Sequence, residues 1–272
     1  MIPFRIAYVQ ARPRFGRVAE NLERALDLAE REPADLTVIP ELWSTGYVFS
    51  SRAEAAALAE DPESGATARA LRAAARRHRR HYVAGFAEKA GGRLYNSAML
   101  VGPNGVRGVY RKLHLFEREQ DWFSPGDLPL AVHRVGPARV GLMICFDWAF
   151  PEVARSLALM GADIIAHPSN LVFPKNAQRA MLIRSLENRV FTVTANRTGR
   201  DVRPIGTVSF TGRSQITDPR GELLAHSGPA AEEARAAACD LALARDKSLT
   251  RRTHLIRSRR PAFYRRVVAS HS

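Results

Sequence analysis

Apolar residues recur along the chain in two rhythms, one of strands and one of helices. Phe4-Arg5-Ile6-Ala7-Tyr8-Val9-Gln10 reads as a strand, and residues 17–32 put Leu22, Leu26 and Ala29 on one helical face. Residues 36–39 form a short apolar run stopped by Pro40, which predicts a buried strand ending at Glu41. Residues 64–80 are rich in Ala and predict a second helix. Strand-like runs follow at 82–88, 93–101 and 106–111, divided by the turn signals Gly91-Gly92 and Asn104-Gly105. After Lys112 a polar and aromatic loop extends to Asp127. Residues 138–145 are then almost wholly apolar, which predicts a strand buried on both faces and ending at Cys145. A helix is expected at 151–160, opened by Pro151 and closed by Gly161. A buried strand at 163–166, a helix at 177–189 and a strand at 191–195 come next, then short strands at 214–217, 223–225 and 236–241. The last thirty or so residues are basic and lack apolar periodicity. Strands and helices interleave without a repeat or linker, so the expectation is one α/β domain.

Composition narrows the options. A hydrophobic fraction of 46% over 272 residues supports a sizeable core. The longest apolar stretches are too short to span a bilayer, and the N-terminus lacks a signal-peptide pattern, so a cytoplasmic protein is expected. Two cysteines, Cys145 and Cys239, do not make a disulfide framework. The histidines are scattered and no zinc-ligand spacing occurs, so no metal is expected. The net charge of +14 admits nucleic acid as a partner. The basic residues are spread along the chain, however, and no nucleic-acid-binding signature accompanies them. A solvated surface rich in Arg is the preferred reading, with neither nucleic acid nor membrane as partner.

Three residues invite chemistry. Cys145 lies where an apolar strand gives way to a helix, a junction that holds a nucleophile rigidly near backbone N–H groups. A free Cys is as often a small buried hydrophobe, and Cys239 is read that way. Glu41 follows a buried strand, where a desolvated carboxylate suits proton transfer; an exposed loop Glu is the plainer alternative. Lys112 is one of few lysines in a chain that prefers Arg. Its compact ammonium suits an oxyanion, while a surface lysine on an edge strand would look the same in sequence. Glu117 and Glu119 follow closely, and either could bond a catalytic amine.

Together these residues sit in three motifs: Pro40-Glu41-Leu42-Trp43-Ser44-Thr45-Gly46-Tyr47, then Tyr110-Arg111-Lys112-Leu113-His114-Leu115-Phe116, then residues 141–152 around Cys145-Phe146-Asp147-Trp148. In sequence and order they resemble the glutamate, lysine and nucleophile motifs of the carbon–nitrogen hydrolase (nitrilase) superfamily. Tyr95-Asn96-Ser97-Ala98, Phe123-Ser124-Pro125-Gly126 and Leu186-Glu187-Asn188-Arg189 are similar to further family segments, and the likeness runs from about Ile6 to about Leu243.

The resemblance implies a four-layer α-β-β-α sandwich over residues 1–250. Residues 251–272 would be a basic C-terminal tail at an oligomer interface, in a homodimer or larger assembly. It implies that Cys145 forms a thioester, that Glu41 moves protons, and that Lys112 and the Phe146 N–H stabilise the oxyanion, with no metal or organic cofactor. Glu119 matches the second family glutamate, with Glu117 a near alternative because loop lengths vary here. The pocket is expected to involve Tyr47, Phe146, Trp148 and Asn170. Familiar nitrilases carry Trp-Glu directly after the cysteine, whereas this chain has Phe146-Asp147. That departure favours a small amide or N-carbamoyl amine as substrate, with a small nitrile as the alternative.

Overall fold

Strand β1 (Phe4–Gln10) turns Phe4, Ile6 and Tyr8 toward one apolar cluster and Val9 toward another, so both of its faces are covered. The computed structural model describes residues 3–269 and explains why. β1 lies inside a six-stranded sheet with β2 (Leu36–Ile39), β3 (His81–Ala90), β4 (Arg93–Gly102), β5 (Gly105–Arg111) and β14 (Glu233–Cys239), in the order β14-β1-β2-β3-β4-β5. β1, β2 and β3 run parallel, and the remaining neighbours pair antiparallel. The parallel crossovers carry α1 (Val18–Arg31) and, after the short α2 (Arg52–Leu58), α3 (Ala66–His78).

The second half repeats this plan. Strands β6 (Val132–Val135), β7 (Ala138–Leu142), β8 (Ile164–Ser169), β9 (Phe191–Asn196), β12 (Gln215–Thr217) and β13 (Leu223–His226) form a sheet ordered β13-β12-β9-β8-β7-β6. Its parallel crossovers carry α5 (Pro151–Leu159) and α6 (Asn176–Asn188). Ile6, Val38 and Val83 from one sheet join Val140, Ile164 and Val193 from the other in the central core. Outside, Leu28 and Leu71 cover Ile39 and Met99, while Leu157 and Met181 cover Ile165. This is the α-β-β-α sandwich. Among the described residues no helix is long and apolar enough to cross a membrane.

Several boundaries differ from the sequence reading. The apolar strand expected to end at Cys145 stops at Leu142, and Cys145 instead begins a 3₁₀ turn, Cys145–Ala149. The loop after Lys112 contains a single helical turn, α4 (Glu119–Trp122). Helix α2 escaped notice although Ser51 caps it, accepting from the Glu54 N–H at 3.1 Å while Glu54 accepts from the Ser50 N–H at 2.6 Å. Also unexpected were β6 and a separate hairpin of β10 (Thr198–Arg203) and β11 (Gly206–Thr211). The basic tail is not featureless. After α7 (Leu241–Arg245), β15 (Ser248–Thr250) pairs with β16 (Thr253–His254), and 3₁₀ turns occupy Pro261–Phe263 and Arg265–Val268. Residues 270–272 lie outside the described residues.

The β10–β11 hairpin is anchored by a buried ion pair. Arg197 donates from Nη1 to Asp201 Oδ2 at 2.9 Å and from Nη2 to Oδ1 at 2.8 Å, with its guanidinium 3.9 Å from the centre of the Phe210 ring. Asp201 Oδ2 also accepts from the Tyr47 N–H at 3.2 Å, tying the hairpin to the segment after Glu41. Removing one partner strands a buried charge, which costs about 3–5 kcal/mol. Asp201→Ala is therefore expected to lower unfolding stability by about that much in urea titrations; a loss under ~1 kcal/mol would show that the pair does not anchor the hairpin.

Candidate active site

Glu41 follows β2, Lys112 follows β5, Cys145 lies three residues past β7, and Asn170 follows β8. Three of these four strand ends are carboxyl ends of parallel strands, where α/β sheets open a crevice. Lys112 is fully buried, and its Nζ donates to Glu41 Oε1 and to Glu119 Oε1, each at 2.7 Å. Burial by itself would lower the lysine pKa, but Glu119 and Glu41 outweigh it and hold the ammonium protonated. Burial raises Glu119 above the ordinary carboxylate range against the opposing pull of Lys112. The Tyr47 hydroxyl donates to Glu119 Oε1 at 2.7 Å, and the Phe116 N–H donates to Glu119 Oε2 at 3.2 Å. Burial, then the negative charge of Glu119, pushes the Tyr47 phenol up, so it remains a donor. Glu117, the other glutamate considered, is exposed on a turn with φ +47°. Geometry thus places Glu119, not Glu117, beside Lys112.

Glu41 is held by three contacts. Its Oε1 accepts from Lys112 and from Asn96 Nδ2 at 2.7 Å, and its backbone carbonyl accepts from Asn170 Nδ2 at 2.9 Å. Among the described residues its Oε2 has no hydrogen-bond partner. One oxygen of the carboxylate is fixed and the other is open to exchange a proton.

Cys145 has φ +42°, a region L-residues seldom occupy and keep only when the surroundings enforce it. Here Asp147 enforces it. Asp147 Oδ2 accepts from the Ile144 N–H at 2.8 Å and the Tyr110 hydroxyl at 2.7 Å, and Oδ1 accepts from the His114 ring at 2.8 Å. The His114 ring is itself clamped by stacking on Phe150 at 3.5 Å. Burial, and then the negative charge of Glu41, pushes the Cys145 thiol well up, with Lys112 opposing. The thiol is therefore protonated at rest and requires a base.

The sequence model for the carbon–nitrogen hydrolase family matches residues 5–247. The chain belongs to that family. It is similar to a nitrilase of Pyrococcus abyssi (strain GE5 / Orsay), 46% identical over 263 residues that cover 96% of this chain and 98% of the relative. It is also similar to an (R)-stereoselective amidase of Pseudomonas sp, 39% identical over 228 residues, covering 82% of this chain and 81% of that one. A carbon–nitrogen hydrolase crystal structure from Helicobacter pylori G27 superposes with a TM-score of 0.88 at 26% identity, covering 99% of both chains.

In this carbon–nitrogen hydrolase, Cys145, Phe146, Trp148 and Asn170 line a recess of about 20 Å³ together with Leu171 and Phe173. Phe116 and Val172 border both this recess and a larger cavity of about 390 Å³. Tyr47 and Glu119 reach that cavity, and the β10–β11 hairpin contributes Ile205 and Val208 to its wall. Of the residues expected in the pocket, Phe146 and Trp148 line the recess, and Tyr47 lines the cavity while bonding Glu119. Asn170 lines the recess and also holds the Glu41 carbonyl, a contact across 129 residues that no spacing could announce. Asn96 stood in a family-like segment without a role assigned.

Proposed function

We propose that this enzyme hydrolyses the C–N bond of a small amide or N-carbamoyl amine through a covalent Cys145 intermediate and releases ammonia. The observation that carries this reading is the split environment of Glu41: Oε1 is locked by Lys112 and Asn96, while Oε2 has no partner among the described residues, in a carboxylate whose charge reaches the protonated Cys145 thiol. Glu41 Oε2 takes the thiol proton, and the thiolate adds to the substrate carbonyl carbon. The carbonyl π pair moves to oxygen, which the Lys112 ammonium and the Phe146 N–H stabilise. The tetrahedral species collapses, the C–N bond breaks, and Glu41 returns its proton to the departing nitrogen. Glu41 then deprotonates water as it attacks the thioester, and the C–S bond breaks to release acid and regenerate the thiol. Splitting the reaction into two steps replaces one high barrier with two lower ones. Glu119 keeps Lys112 charged and oriented.

A nitrile substrate is the second reading, favoured by the name of the 46% identical relative. The amide reading rests on Phe146-Asp147 after the nucleophile and on the amidase at 39% identity. The test is ammonia release from matched nitrile and amide pairs, with carbamoyl amines alongside. Higher kcat/KM for the amide is expected in each pair, and a consistent preference for the nitrile would reverse the assignment.

The larger cavity bears on the acyl group. Trp122, Val172, Ile205 and Val208 give it apolar walls, while Arg118 at its rim is paired with Asp121. Each methylene buried there contributes about 0.8 kcal/mol, close to fourfold in kcat/KM. Straight-chain amides are expected to improve by about that factor per carbon until the cavity fills, with ω-carboxylated analogues falling behind. A flat series would show that the acyl group does not enter this cavity.

A further inference from the structure

His167, on β8, has no part in the steps above, yet it touches the nucleophile's own backbone. It is fully buried, with Nε2 2.9 Å from the carbonyl oxygen of Cys145 and Nδ1 3.1 Å from Thr194 Oγ1 on β9. Burial depresses its pKa to about 4, so the ring is neutral and carries a single N–H. A carbonyl oxygen can only accept, which places that hydrogen on Nε2 and leaves Nδ1 to accept from the Thr194 hydroxyl. Ser169 Oγ, 3.1 Å from the same Nε2, has the His167 carbonyl as its own acceptor at 3.2 Å.

The Cys145 carbonyl and the Phe146 N–H belong to one planar peptide unit and point in opposite directions. Holding the oxygen therefore aims the hydrogen. Asp147 clamps the near side of this turn through the Ile144 N–H, while no acceptor within the described residues claims the Phe146 N–H. We infer that His167 is a positioning residue for the oxyanion site: its bond to the Cys145 carbonyl holds the peptide plane so that the Phe146 N–H faces the substrate oxygen. A donor on the carbonyl also polarises the amide, strengthening the N–H it aims. This rests on the reaction proposed above, in which the Phe146 N–H receives the oxyanion.

The role separates experimentally from general support of the fold, because only some reactions of Cys145 create an oxyanion. An aldehyde analogue of the best amide adds to the thiol and places an oxyanion in the site. A methanethiosulfonate reagent modifies the same thiol without forming one at carbon. Deleting an oxyanion donor costs roughly 10²–10³-fold in kcat, so misaiming one is expected to cost about 10- to 100-fold. His167→Leu should show that loss in kcat with KM nearly unchanged, and weaken aldehyde inhibition in parallel. Thiosulfonate modification of Cys145, read by peptide mass mapping, should keep its wild-type rate. His167→Gln, whose amide nitrogen can occupy the Nε2 position, should recover most of the turnover. Thr194→Val, which removes only the donor to Nδ1, should show the same split in weaker form and serves if the Leu variant does not fold. Undiminished aldehyde affinity in His167→Leu or Thr194→Val would overturn the inference. So would thiosulfonate reactivity that falls in step with turnover. A wild-type enzyme inactive on every amide, carbamoyl amine and nitrile would strike the proposed reaction instead.

Discussion

Cys145→Ala is expected to abolish ammonia release while the protein still unfolds cooperatively near the wild-type midpoint. The activity loss should reach at least about 10⁴-fold, since removing the nucleophile of a hydrolase leaves only the contribution of the rest of the site. The fold should survive because the turn is held by Asp147, whose bonds go to Ile144, Tyr110 and His114 and not to the thiol. A companion measurement compares the two cysteines. Both are buried, and burial raises both thiols. Only Cys145 has an open carboxylate oxygen and an ammonium nearby. Chloroacetamide should therefore alkylate Cys145 faster than Cys239, as read by peptide mapping over time. An active Cys145→Ala protein, or equal labelling of the two cysteines, would remove Cys145 from the mechanism.

Part of this candidate site is legible before any geometry is known, because three short motifs carry Glu41, Lys112 and Cys145. Glu41, Lys112 and Cys145 each sit beside a strand end, and strand ends are readable from apolar runs halted by Pro, Lys or a turn. The misplaced end of the strand before Cys145 has a specific cause. Met143, Ile144 and Cys145 are apolar, so the run continues in sequence after the strand has ended at Leu142. The reversal there depends on a backbone at φ +42° held by Asp147, which Tyr110 and His114 fix in turn. The β10–β11 hairpin was illegible for the opposite reason. Its strands mix Gly, Arg, Asp and Ser, and its burial comes from the Arg197–Asp201 pair and Phe210, not from alternation. The role of His167 is not visible in the sequence. Its partners lie on the Cys145 turn and on the next strand, and parallel pairing of β8 with β9 sets His167 opposite Thr194.

Glu41→Gln and Lys112→Ala are each expected to remove most of the turnover, about 10²- to 10⁴-fold as for loss of a general base or an electrostatic stabiliser. Their double variant should be within a few fold of the poorer single one. The reason lies in the shared contact at 2.7 Å. Lys112 is buried between Glu41 and Glu119, so its removal leaves two buried carboxylates facing one another without a cation. Two such groups cannot both stay charged, so the base is compromised as soon as the lysine is lost. Conversely, Glu41→Gln leaves Lys112 aimed by Glu119 but with no proton acceptor for the thiol. Each change therefore disables the same step, and the second has little left to remove. The check is a double-mutant cycle on kcat/KM for ammonia release, with far-UV circular dichroism confirming that all four proteins are folded. Independent contributions would multiply, leaving the double variant at least about 10²-fold below the poorer single one. A double variant that poor would show that Glu41 and Lys112 act at separate steps and that their buried contact is structural.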